Sequence, residues 1–350
     1  MNSFPANIYF TEDPQQTLKN CLAQFNPDKV AILVDENSFN YCLPFFADIE
    51  NLQVIEIESG EKNKIIDTCS FIWEQLTAMG STRKSVLINL GGGVIGDMGG
   101  FAAATYKRGI RFINIPTTLL SQVDASIGGK LGIDFNGLKN HIGVFQDPDA
   151  IILCQNFLKT LPIRQLKSGF AEAIKHGLIY DESYWQEIRE KPFALNLDWN
   201  LLLEKSVMIK SDVVKKDPHE KGLRKILNFG HTLGHAIETW HLETHRDLLH
   251  GEAVAAGMIL EAQMAYELKL IEKKHFEDII SYIDSVFERI ATFPTFERIK
   301  SLLSQDKKNQ GAMVMFSLIN GPGSCLFDIV VNDDDILNAI QFYQSYKTKN

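Results

Sequence analysis

Five of the nine histidines lie within residues 227–258, LNFGHTLGHAIETWHLETHRDLLHGEAVAAGM. His231 and His235 are four residues apart, so a helix would place them on one face, one turn from each other. His250 follows after a short polar break. Imidazole is the commonest metal ligand and transfers protons near neutral pH. The spacing therefore predicts a metal site or an acid/base site, and the alternative is an ordinary amphipathic helix.

A second group of ionisable residues lies in the segment 170–179, FAEAIKHGLI. Glu172, Lys175 and His176 stand at positions i, i+3 and i+4, which share one face of a helix. A Glu–Lys pair at this spacing is most often a surface ion pair of small energy. Glu172, however, lies between two alanines in a segment of low charge, which makes it a candidate third ligand beside the histidines.

Cationic and amide side chains precede the histidines on two further helical segments, 199–214 and 223–239. Lys210 lies on the first segment. Arg224 and Asn228 lie one turn apart on the second, and a continuous helix would place both on the face that carries His231. The pattern predicts that a cation and an amide stand beside a candidate metal ligand.

A glycine motif follows a short apolar run that is typical of a buried strand. Gly91, Gly93 and Gly96 satisfy G-x-G-x-x-G before a helix of small residues, where backbone N–H groups could hold a pyrophosphate. The motif is not in the first strand–helix unit, and no acid follows about 20 residues later, where a ribose contact is expected. An acid does end an earlier strand, at Asp35. A nucleotide site with a rearranged topology and a glycine turn for tight packing both remain open.

The residues after the glycine motif are dense in polar groups that could bind a ligand. Arg108 and Arg111 begin a predicted strand, 110–115, whose end delivers Thr117 and Thr118 to the edge where α/β folds bind ligands. Scattered lysines usually belong to a solvated loop, but a long loop inside a compact domain is usually functional, and Gly-Gly beside Lys lets a ligand approach the backbone. The following stretch is predicted to be such a loop, and it carries Asp124, Lys130, Lys139 and Asn140.

Composition narrows the class of protein. The 350 residues are 45% hydrophobic, so the chain can bury a large core and two domains are expected. The net charge of −9 argues against a nucleic-acid partner but not against a small anion, because local cations can oppose the global sign. Five cysteines without CxxC spacing favour reduced thiols. Neither a signal peptide nor a membrane span is visible, so we expect a soluble cytoplasmic protein without a membrane partner.

The order of predicted elements divides the chain in two. Strand-like and helix-like segments alternate up to about residue 155, which predicts an α/β layer with a mostly parallel sheet. After Pro162 strand signals nearly vanish, until two β-rich runs flank the hairpin signal Asn320-Gly321-Pro322-Gly323. We therefore predict an α/β domain at residues 1–161 and a mainly α-helical domain at 162–350 with a small C-terminal β-hairpin.

Six motifs, in this order and spacing, resemble the 3-dehydroquinate synthase family: GGGVIGD, PTTLLSQVDASIGGK, GLKNHIG, GFAEAIKHG, LNFGHTLGHAIE and HGEAVAAGM. The similarity extends from about Asp35 to Lys308, and the combination is far more specific than any one motif. It implies an N-terminal Rossmann-like nucleotide-binding domain that takes NAD and a helical C-terminal domain that binds metal and substrate. It also implies Zn2+ or Co2+ as the metal and a homodimer as the assembly.

The resemblance implies a carbon–oxygen lyase of aromatic amino acid biosynthesis, in the shikimate pathway. The reaction would cyclise 3-deoxy-D-arabino-heptulosonate 7-phosphate to 3-dehydroquinate with release of phosphate. Oxidation of a secondary alcohol to a ketone acidifies the neighbouring C–H and permits elimination, and the hydride passes to NAD+ and returns. A divalent cation would polarise the reacting hydroxyl. The lysines and Arg224 would suit a substrate with a carboxylate and a phosphate, which reconciles an anionic substrate with an acidic protein.

Site residues follow from the resemblance, motif by motif. The implied metal ligands are Glu172, His231 and His250, which leaves His235 facing the substrate. The implied catalytic residues are Asp124, Lys175, Asn228 and His235. The implied substrate contacts are Arg108 from a neighbouring subunit, Asp124, Lys130, Asn140, Lys175, Lys210, Arg224, Asn228, His235, and Lys307 or Lys308. The implied cofactor contacts are Asp35, Ser59, Gly60, Glu61, Lys64, Gly92, Gly93, Val94, Ile95, Gly96, Asp97, Thr117, Thr118, Lys130, Lys139, Phe157, Thr160 and Leu161.

Two departures from the family pattern concern the adenine pocket and a loop. Gln165 stands where Glu is expected, and GKLGIDFNGLKN stands where many members read closer to GKTGVNHPLGKN. Three other functions are weighed beside the synthase. Another sugar phosphate cyclase would act on a heptulose 7-phosphate or glucose 6-phosphate, which lack the carboxylate that Lys210 and Arg224 suit. An NAD- and metal-dependent polyol dehydrogenase would accumulate NADH, and a scaffold with a dead site would not need this set of ligands and cations.

Overall fold

The computed structural model describes residues 4–136, 138–194, 197–305 and 314–345. The chain divides into two compact units, Met1–Pro162 and Ile163–Asn350. Lys307 and Lys308, the two candidates for one substrate contact, lie outside the described residues. In the described part of the chain, no helix combines the length and the apolar character that crossing a bilayer requires.

Unit 1 is built on a parallel sheet. Its strands are β1 (Ile8–Phe10), β2 (Val30–Asp35), β3 (Leu52–Ile57), β4 (Val86–Gly91), β5 (Arg111–Pro116), β6 (Lys130–Phe135), β7 (Leu138–Phe145) and β8 (Ala150–Leu153). Its helices are α1 (Pro14–Phe25), α2 (Glu36–Tyr41), α3 (Ile66–Ala78) and α4 (Gly93–Thr105). Six strands pair in parallel in the order β1-β8-β5-β4-β2-β3, which confirms the predicted α/β class.

The central strand β4 explains where the glycine motif lies. All six of its residues are buried, as expected for a parallel strand that is covered on both faces. Leu87 and Ile88 point to opposite faces and enter separate apolar clusters. The strand ends at Gly91 and α4 begins at Gly93. The motif therefore stands at the carboxyl edge of the sheet, where α/β folds bind their ligands.

The prediction of a long loop after residue 120 is wrong. Ser121–Ala125 forms one turn of π-helix, and β6 and β7 form an antiparallel hairpin. Leu131 and Ile133, at alternate positions of β6, are buried among residues of α3 and α4. Asn136 turns the chain with a φ of 51°, and glycine follows it in the sequence. Asn-Gly between strand-like runs is a hairpin signal, which the prediction of a loop overlooked.

Unit 2 is mainly helical, as predicted. Its helices are α5 (Ile163–Tyr180), α6 (Glu182–Arg189), α7 (Trp199–Lys216), α8 (His231–Glu243), α9 (His250–Glu267), α10 (Lys273–Val286), α11 (Phe296–Gln305) and α12 (Asp333–Ser345). The predicted hairpin is confirmed as β9 (Val314–Gly321) and β10 (Ser324–Val331). Helices α2, α6, α11 and α12 were not predicted. The segment after Pro162, interpreted as a junction, is already the start of α5.

The prediction of one continuous helix over residues 223–239 is also wrong. Its first part is a short 3-10 segment that ends at Asn228, and α8 begins at His231 after a break at Gly230. Gly230 has a φ of 77°, in the left-handed region that glycine adopts without strain. Helical periodicity stops at this break, so it cannot place Arg224 or Asn228 on the face of α8 that carries the first histidine.

A buried carboxylate and a close backbone approach hold α8 against α9. Glu261 of α9 is fully buried and accepts hydrogen bonds from Gly230 N at 2.6 Å and Leu233 N at 3.2 Å. Backbone N–H groups at a helix start have no partner within the helix. The two helices lie so close that a Cβ at Gly257 would stand 1.9 Å from the carbonyl oxygen of Gly230. Helix α9 thus fixes the start of α8, where the first two site histidines lie.

Candidate active site

Three imidazoles converge at the starts of α8 and α9. His231 is the first residue of α8, His235 lies one turn further, and His250 is the first residue of α9. The ring centroids are 5.0 Å apart for His231 and His235, 5.3 Å for His231 and His250, and 5.7 Å for His235 and His250. Each ring has a nitrogen within 4.8 Å of a nitrogen of the other two, a spacing that can hold a metal ion.

Glu172 brings a carboxylate to the same place from α5. Its Oε1 lies 3.4 Å from Nε2 of His231 and 3.4 Å from Nε2 of His250. Its Oε2 forms an ion pair with Nζ of Lys175. Apart from this ion pair, the described residues provide no hydrogen-bond partner for either oxygen of this buried carboxylate. Such a group is costly to bury, and one carboxylate oxygen facing two imidazole nitrogens is a donor set that suits a divalent cation such as Zn2+.

The far nitrogen of two rings contacts an acceptor. Nδ1 of His231 lies 3.2 Å from the carbonyl oxygen of Phe229, and Nδ1 of His250 lies 3.4 Å from Oε2 of Glu238. A ring that donates through Nδ1 keeps the lone pair of Nε2 for a metal. Both rings are therefore turned so that Nε2 points to the Glu172 carboxylate.

The charges of the cluster favour the protonation states that metal binding needs at two of the three implied ligands, Glu172 and His231. Burial raises the pKa of Glu172, but Lys175 and His231 outweigh it and hold the pKa of this carboxyl well below its usual range. Burial and Lys175 lower the pKa of His231 to about 4. Burial also acts to lower the pKa of His250, but Glu238 and Glu172 raise it to about 10. Near pH 7 Glu172 is ionised and His231 is neutral, as metal ligands must be. His250 keeps a proton at this pH, which a bound metal would displace.

The predicted cationic contacts of unit 2 are buried. Lys175, Lys210 and Arg224 are 1%, 6% and 2% exposed, although lysine and arginine are rarely buried unless paired. Lys175 pairs with Glu172, and Arg224 donates from Nη1 to the carbonyl oxygen of Pro218 at 2.7 Å. Lys210 lies among the buried positions of α7. Three buried cations in one unit suit an anionic ligand.

Asn228 is held by a residue that was not predicted. Its Nδ2 donates to Oε1 of Glu220 at 2.8 Å. Glu220 has a φ of 56°, which residues other than glycine seldom adopt. The carboxylate of Asp217 supports this turn by accepting from Lys221 N at 3.0 Å and Gly222 N at 2.7 Å. The contact depends on the shape of an irregular turn, so no residue spacing could have revealed it.

Glu238 is the second residue that was missed. It lies three residues after His235 and seven after His231 on α8, so helical periodicity would have placed it on the histidine face. The other histidine of this helix has a structural role. His241 is buried, and its Nε2 lies 3.0 Å from the carbonyl oxygen of Thr292.

In unit 1 the predicted cofactor residues Gly92 to Asp97 lie at the start of α4. Gly92 precedes the first turn of this helix, whose N–H groups can bind a phosphate. A small pocket adjoins it, lined among others by Gly92, Gly93, Gly96 and Asn114. Val94 follows in the first turn, whereas the side chain of Ile95 is buried in the core. These residues form a small pocket beside a helix start.

Lys64 forms hydrogen bonds with one predicted cofactor contact and one predicted substrate contact. Its Nζ donates to Oδ2 of Asp97 at 2.7 Å and to Oδ1 of Asn140 at 2.6 Å. Asn140 N donates in turn to Oδ1 of Asp134 at 2.7 Å. Burial acts to lower the pKa of Lys64, but Asp97 and Glu61 outweigh it and raise this pKa. The ammonium therefore stays charged and ties the hairpin of β6 and β7 to α4.

Other predicted cofactor residues lie at the ends of strands. Asp35 ends β2 and accepts from Ser38 N at 2.7 Å, which caps α2. Thr117 N donates to the carbonyl oxygen of Gly91 at 2.9 Å. Ser59 and Gly60 follow β3, Glu61 lies 3.9 Å from Lys139, and Thr118 contacts Ser121 through its hydroxyl at 2.8 Å.

The remaining predicted residues of unit 1 occupy turns and exposed positions. The side chain of Phe157 is buried in the core, so a cofactor contact there would come from its backbone. Phe157 belongs to the 3-10 turn Gln155–Thr160, which ends at Thr160 and is followed by Leu161. Asp124 lies in the π-helical turn. Lys130 is the first residue of β6 and is exposed. Arg108 is also exposed and has a φ of 69°.

A glycine-lined helix start on a parallel sheet and a buried carboxylate that faces imidazoles occur here in one chain. The combination defines an enzyme of the class that uses NAD and a divalent metal. Residues 54–168 match the family model 3-dehydroquinate synthase N-terminal, and residues 169–309 match 3-dehydroquinate synthase C-terminal. A 3-dehydroquinate synthase from Parabacteroides distasonis is 39% identical over 343 residues, 96% of this chain and 97% of the relative. The chain belongs to the 3-dehydroquinate synthase family.

Two solved structures share the fold over nearly the whole chain. A 2-deoxy-scyllo-inosose synthase complexed with carbaglucose-6-phosphate, NAD+ and Co2+ has a TM-score of 0.84 at 23% identity and covers 95% of this chain and 96% of its own. A 2-epi-5-epi-valiolone synthase from Streptomyces hygroscopicus with NAD+ and Zn2+ bound has a TM-score of 0.84 at 22% identity and covers 98% of each chain. At these identities the similarity is one of fold.

Proposed function

We propose that this protein is a 3-dehydroquinate synthase, which cyclises 3-deoxy-D-arabino-heptulosonate 7-phosphate to 3-dehydroquinate and releases phosphate. The observation that supports it most strongly is the approach of Glu172 Oε1 to Nε2 of both His231 and His250, at 3.4 Å each, beside the buried Lys175. A general dinucleotide-binding protein has no need of this donor set. The family relationship then selects the reaction.

The residues present suit both groups that this reaction needs. Glu172, His231 and His250 would hold a divalent cation, Zn2+ or Co2+. The start of α4, with Asp97 and Lys64 beside it, would hold NAD+. Together these groups would supply polarisation of a hydroxyl and reversible uptake of a hydride.

His235 is the proposed proton-transfer residue. It lies one turn after His231, and its ring centroid is 5.7 Å from that of His250, so it stands beside the proposed ligands. The spacing of the three rings would also let it bind a metal, and it is the family resemblance that leaves His235 out of the ligand set. From there it can take a proton from a substrate hydroxyl or orient a water. Asn228, held by Glu220, would position a hydroxyl by hydrogen bonding. Asp124 is the proposed catalytic residue of unit 1.

The cations are proposed to select the substrate. Lys175, Lys210 and Arg224 are buried, where a charge-assisted hydrogen bond is stronger than in water. A guanidinium can bind a carboxylate with two parallel hydrogen bonds. Lys130 and Asn140 are the proposed contacts from unit 1. Because glucose 6-phosphate and heptulose 7-phosphates lack a carboxylate, this set favours the heptulosonate phosphate.

A phosphate-release assay tests this proposal. Purified protein loaded with Zn2+ or Co2+ and NAD+ should release inorganic phosphate from 3-deoxy-D-arabino-heptulosonate 7-phosphate. Omission of NAD+ or addition of a chelator should abolish the release. Glucose 6-phosphate and a heptulose 7-phosphate serve as matched substrates without the carboxylate. Release from either of these and none from the heptulosonate phosphate would make the protein a different sugar phosphate cyclase.

The proposed ligand set has its own test in His231→Ala. This variant should lose its bound metal and its activity but keep most of its affinity for NAD+, because the proposed cofactor contacts belong to unit 1. His245→Ala, which removes an exposed imidazole from the turn after α8, should keep both. A full equivalent of metal bound to His231→Ala would show that the ligands are assigned wrongly.

We further propose a homodimer in the cytoplasm. Lys107 and Arg108 both have left-handed φ values, 51° and 69°, and both are exposed, so this turn presents Arg108 outwards, as a contact to a second subunit requires. Five free cysteines suit a reducing compartment. Light scattering should give twice the chain mass of 39.5 kDa. Mixing the inactive variants Arg108→Ala and His235→Ala should restore part of the activity, and no restoration would exclude a shared site.

A further inference from the structure

Helix α8 carries a carboxylate on the same face as two of the histidines. Glu238 follows His231 by seven residues and His235 by three, which brings all three side chains to one side of the helix. Oε2 of Glu238 lies 3.4 Å from Nδ1 of His250, which belongs to α9. The Glu238 side chain is only 12% exposed, so this contact is largely shielded from water.

The contact lies on the opposite edge of the imidazole from Glu172. Nε2 of His250 faces Glu172 and Nδ1 faces Glu238, so the ring is held between two carboxylates. The ring of His231 is oriented differently, since its Nδ1 contacts the main-chain carbonyl of Phe229. No side-chain substitution removes that carbonyl. The orientation of His250, in contrast, depends on a side chain that can be changed.

A carboxylate behind a metal-binding imidazole has three effects. It fixes the proton on the nitrogen that faces it, it fixes the ring plane, and it makes the other nitrogen a better ligand. Glu238 meets the geometric requirement for all three, because it contacts Nδ1 and leaves Nε2 directed at the Glu172 carboxylate.

We propose that Glu238 is a positioning residue of the metal site, which orients His250 and strengthens the binding of the divalent cation without ligating it. This inference rests on the proposed ligand set of Glu172, His231 and His250. Glu238 would act through His250 and make no contact with the substrate. Its removal should therefore lower metal affinity first, and activity only as a consequence.

Metal affinity of the full-length variants tests the proposal. Glu238→Ala should bind Zn2+ roughly 10- to 100-fold more weakly than the unchanged protein, measured by competition with a chromogenic chelator. Glu238→Gln should lose less, because an amide oxygen still accepts from Nδ1–H but carries no charge. Glu243→Ala is the matched control, since Glu243 lies on the same helix, is 44% exposed and pairs with Arg298. Its affinity should be unchanged.

The visible spectrum of the Co2+-loaded protein separates positioning from ligation. Because Glu238 does not touch the metal, the coordination number read from the spectrum of Glu238→Gln should match that of the unchanged protein. A lost ligand in that spectrum would make Glu238 a direct ligand and overturn the proposal. Unchanged Zn2+ affinity in both variants would also overturn it, and if Glu238→Ala does not fold, Glu238→Gln alone decides on the same criterion. His250→Ala is the separate check on the ligand set, because unaltered metal binding there would refute the proposed site itself.

Discussion

Lys64 is a buried cation that contacts residues of two separate elements. Its side chain is 4% exposed and contacts Asp97 of α4 and Asn140 of β7. Removing one member of a buried charge pair leaves the other charge without compensation. The contribution of this lysine to stability should therefore far exceed that of a surface lysine.

Lys64→Met should lower the free energy of unfolding by about 2 to 3 kcal/mol, less than for a fully buried pair because Asp97 is 22% exposed. It should also weaken NAD+ binding, since Asp97 is a proposed cofactor contact. Urea titration measures the first effect and fluorescence titration the second. Lys62→Met is the control, because Lys62 is 75% exposed, pairs with Glu58 at 4.0 Å, and should cost less than about 1 kcal/mol. Equal losses in the two variants would contradict this account of Lys64.

Residue types and spacing predicted the candidate metal ligands but not the residues that hold the site side chains in place. The low charge around Glu172 indicated burial, and the structure buries this carboxylate completely. Glu238 could have been found from helical periodicity alone. Glu220 could not, because its contact with Asn228 depends on a left-handed residue in an irregular turn. Sequence patterns describe regular elements, so functional residues in irregular turns escape them.

At the scale of elements, the site depends on how closely α8 and α9 approach. Glu261 caps the start of α8 from α9, and Gly257 allows contact of the two backbones. Both features set the separation of the proposed ligands, because one lies at the start of each helix. The sequence showed the glycines and alanines of α9, but only the folded chain shows which backbone they meet.

Gly257→Ala should destabilise the protein by about 1 to 3 kcal/mol. An added Cβ would stand 1.9 Å from the carbonyl oxygen of Gly230, and relieving this clash requires a shift of the backbone. Its Zn2+ affinity should fall as well, since α8 must move. Gly96→Ala is the control: within the described residues, nothing lies within 4 Å of the added Cβ. It should change stability by at most about 1 kcal/mol. Thermal unfolding without cofactor compares the two, and equal shifts would show that the helices are not tightly packed.

The two apolar clusters around the sheet of unit 1 make stability depend on pH. Burial raises the pKa of the thiols of Cys42 and Cys69 from 9.0 to about 12, with Asp35 adding to the effect at Cys42. Between these values the folded chain keeps protons that the unfolded chain has lost, so the free energy of unfolding falls as pH rises. Cys69→Ala should flatten this slope between pH 9 and about pH 11, measured by urea titration. A slope identical to that of the unchanged protein would contradict the burial effect.

Two predictions of secondary structure were wrong for the same physical reason. The hairpin of β6 and β7 was predicted as a loop, and the chain around Gly230 was predicted as a continuous helix. In both places a residue with positive φ changes the chain direction, at Asn136 in the hairpin and at Gly230 before α8. Periodic patterns predict where regular structure continues, whereas backbone freedom at single residues decides where it stops.

At the scale of the whole molecule, the chain combines a parallel α/β unit with a helical unit. The alternation of strands and helices in the first half predicted this class, because parallel strands require helical connections. The enzyme class and the family then follow from full-length similarity to curated 3-dehydroquinate synthases. Individual roles within the site stay predictions, and the reaction as a whole provides the sharpest test of them.

One reaction mixture in which phosphate and NADH are measured together tests the central claim most directly. Metal-loaded protein with catalytic NAD+ and excess 3-deoxy-D-arabino-heptulosonate 7-phosphate should release many equivalents of phosphate per enzyme. Absorbance from NADH should not rise in proportion, because each hydride returns to the product. NADH that accumulates in step with product, without phosphate release, would contradict the account and identify a dehydrogenase.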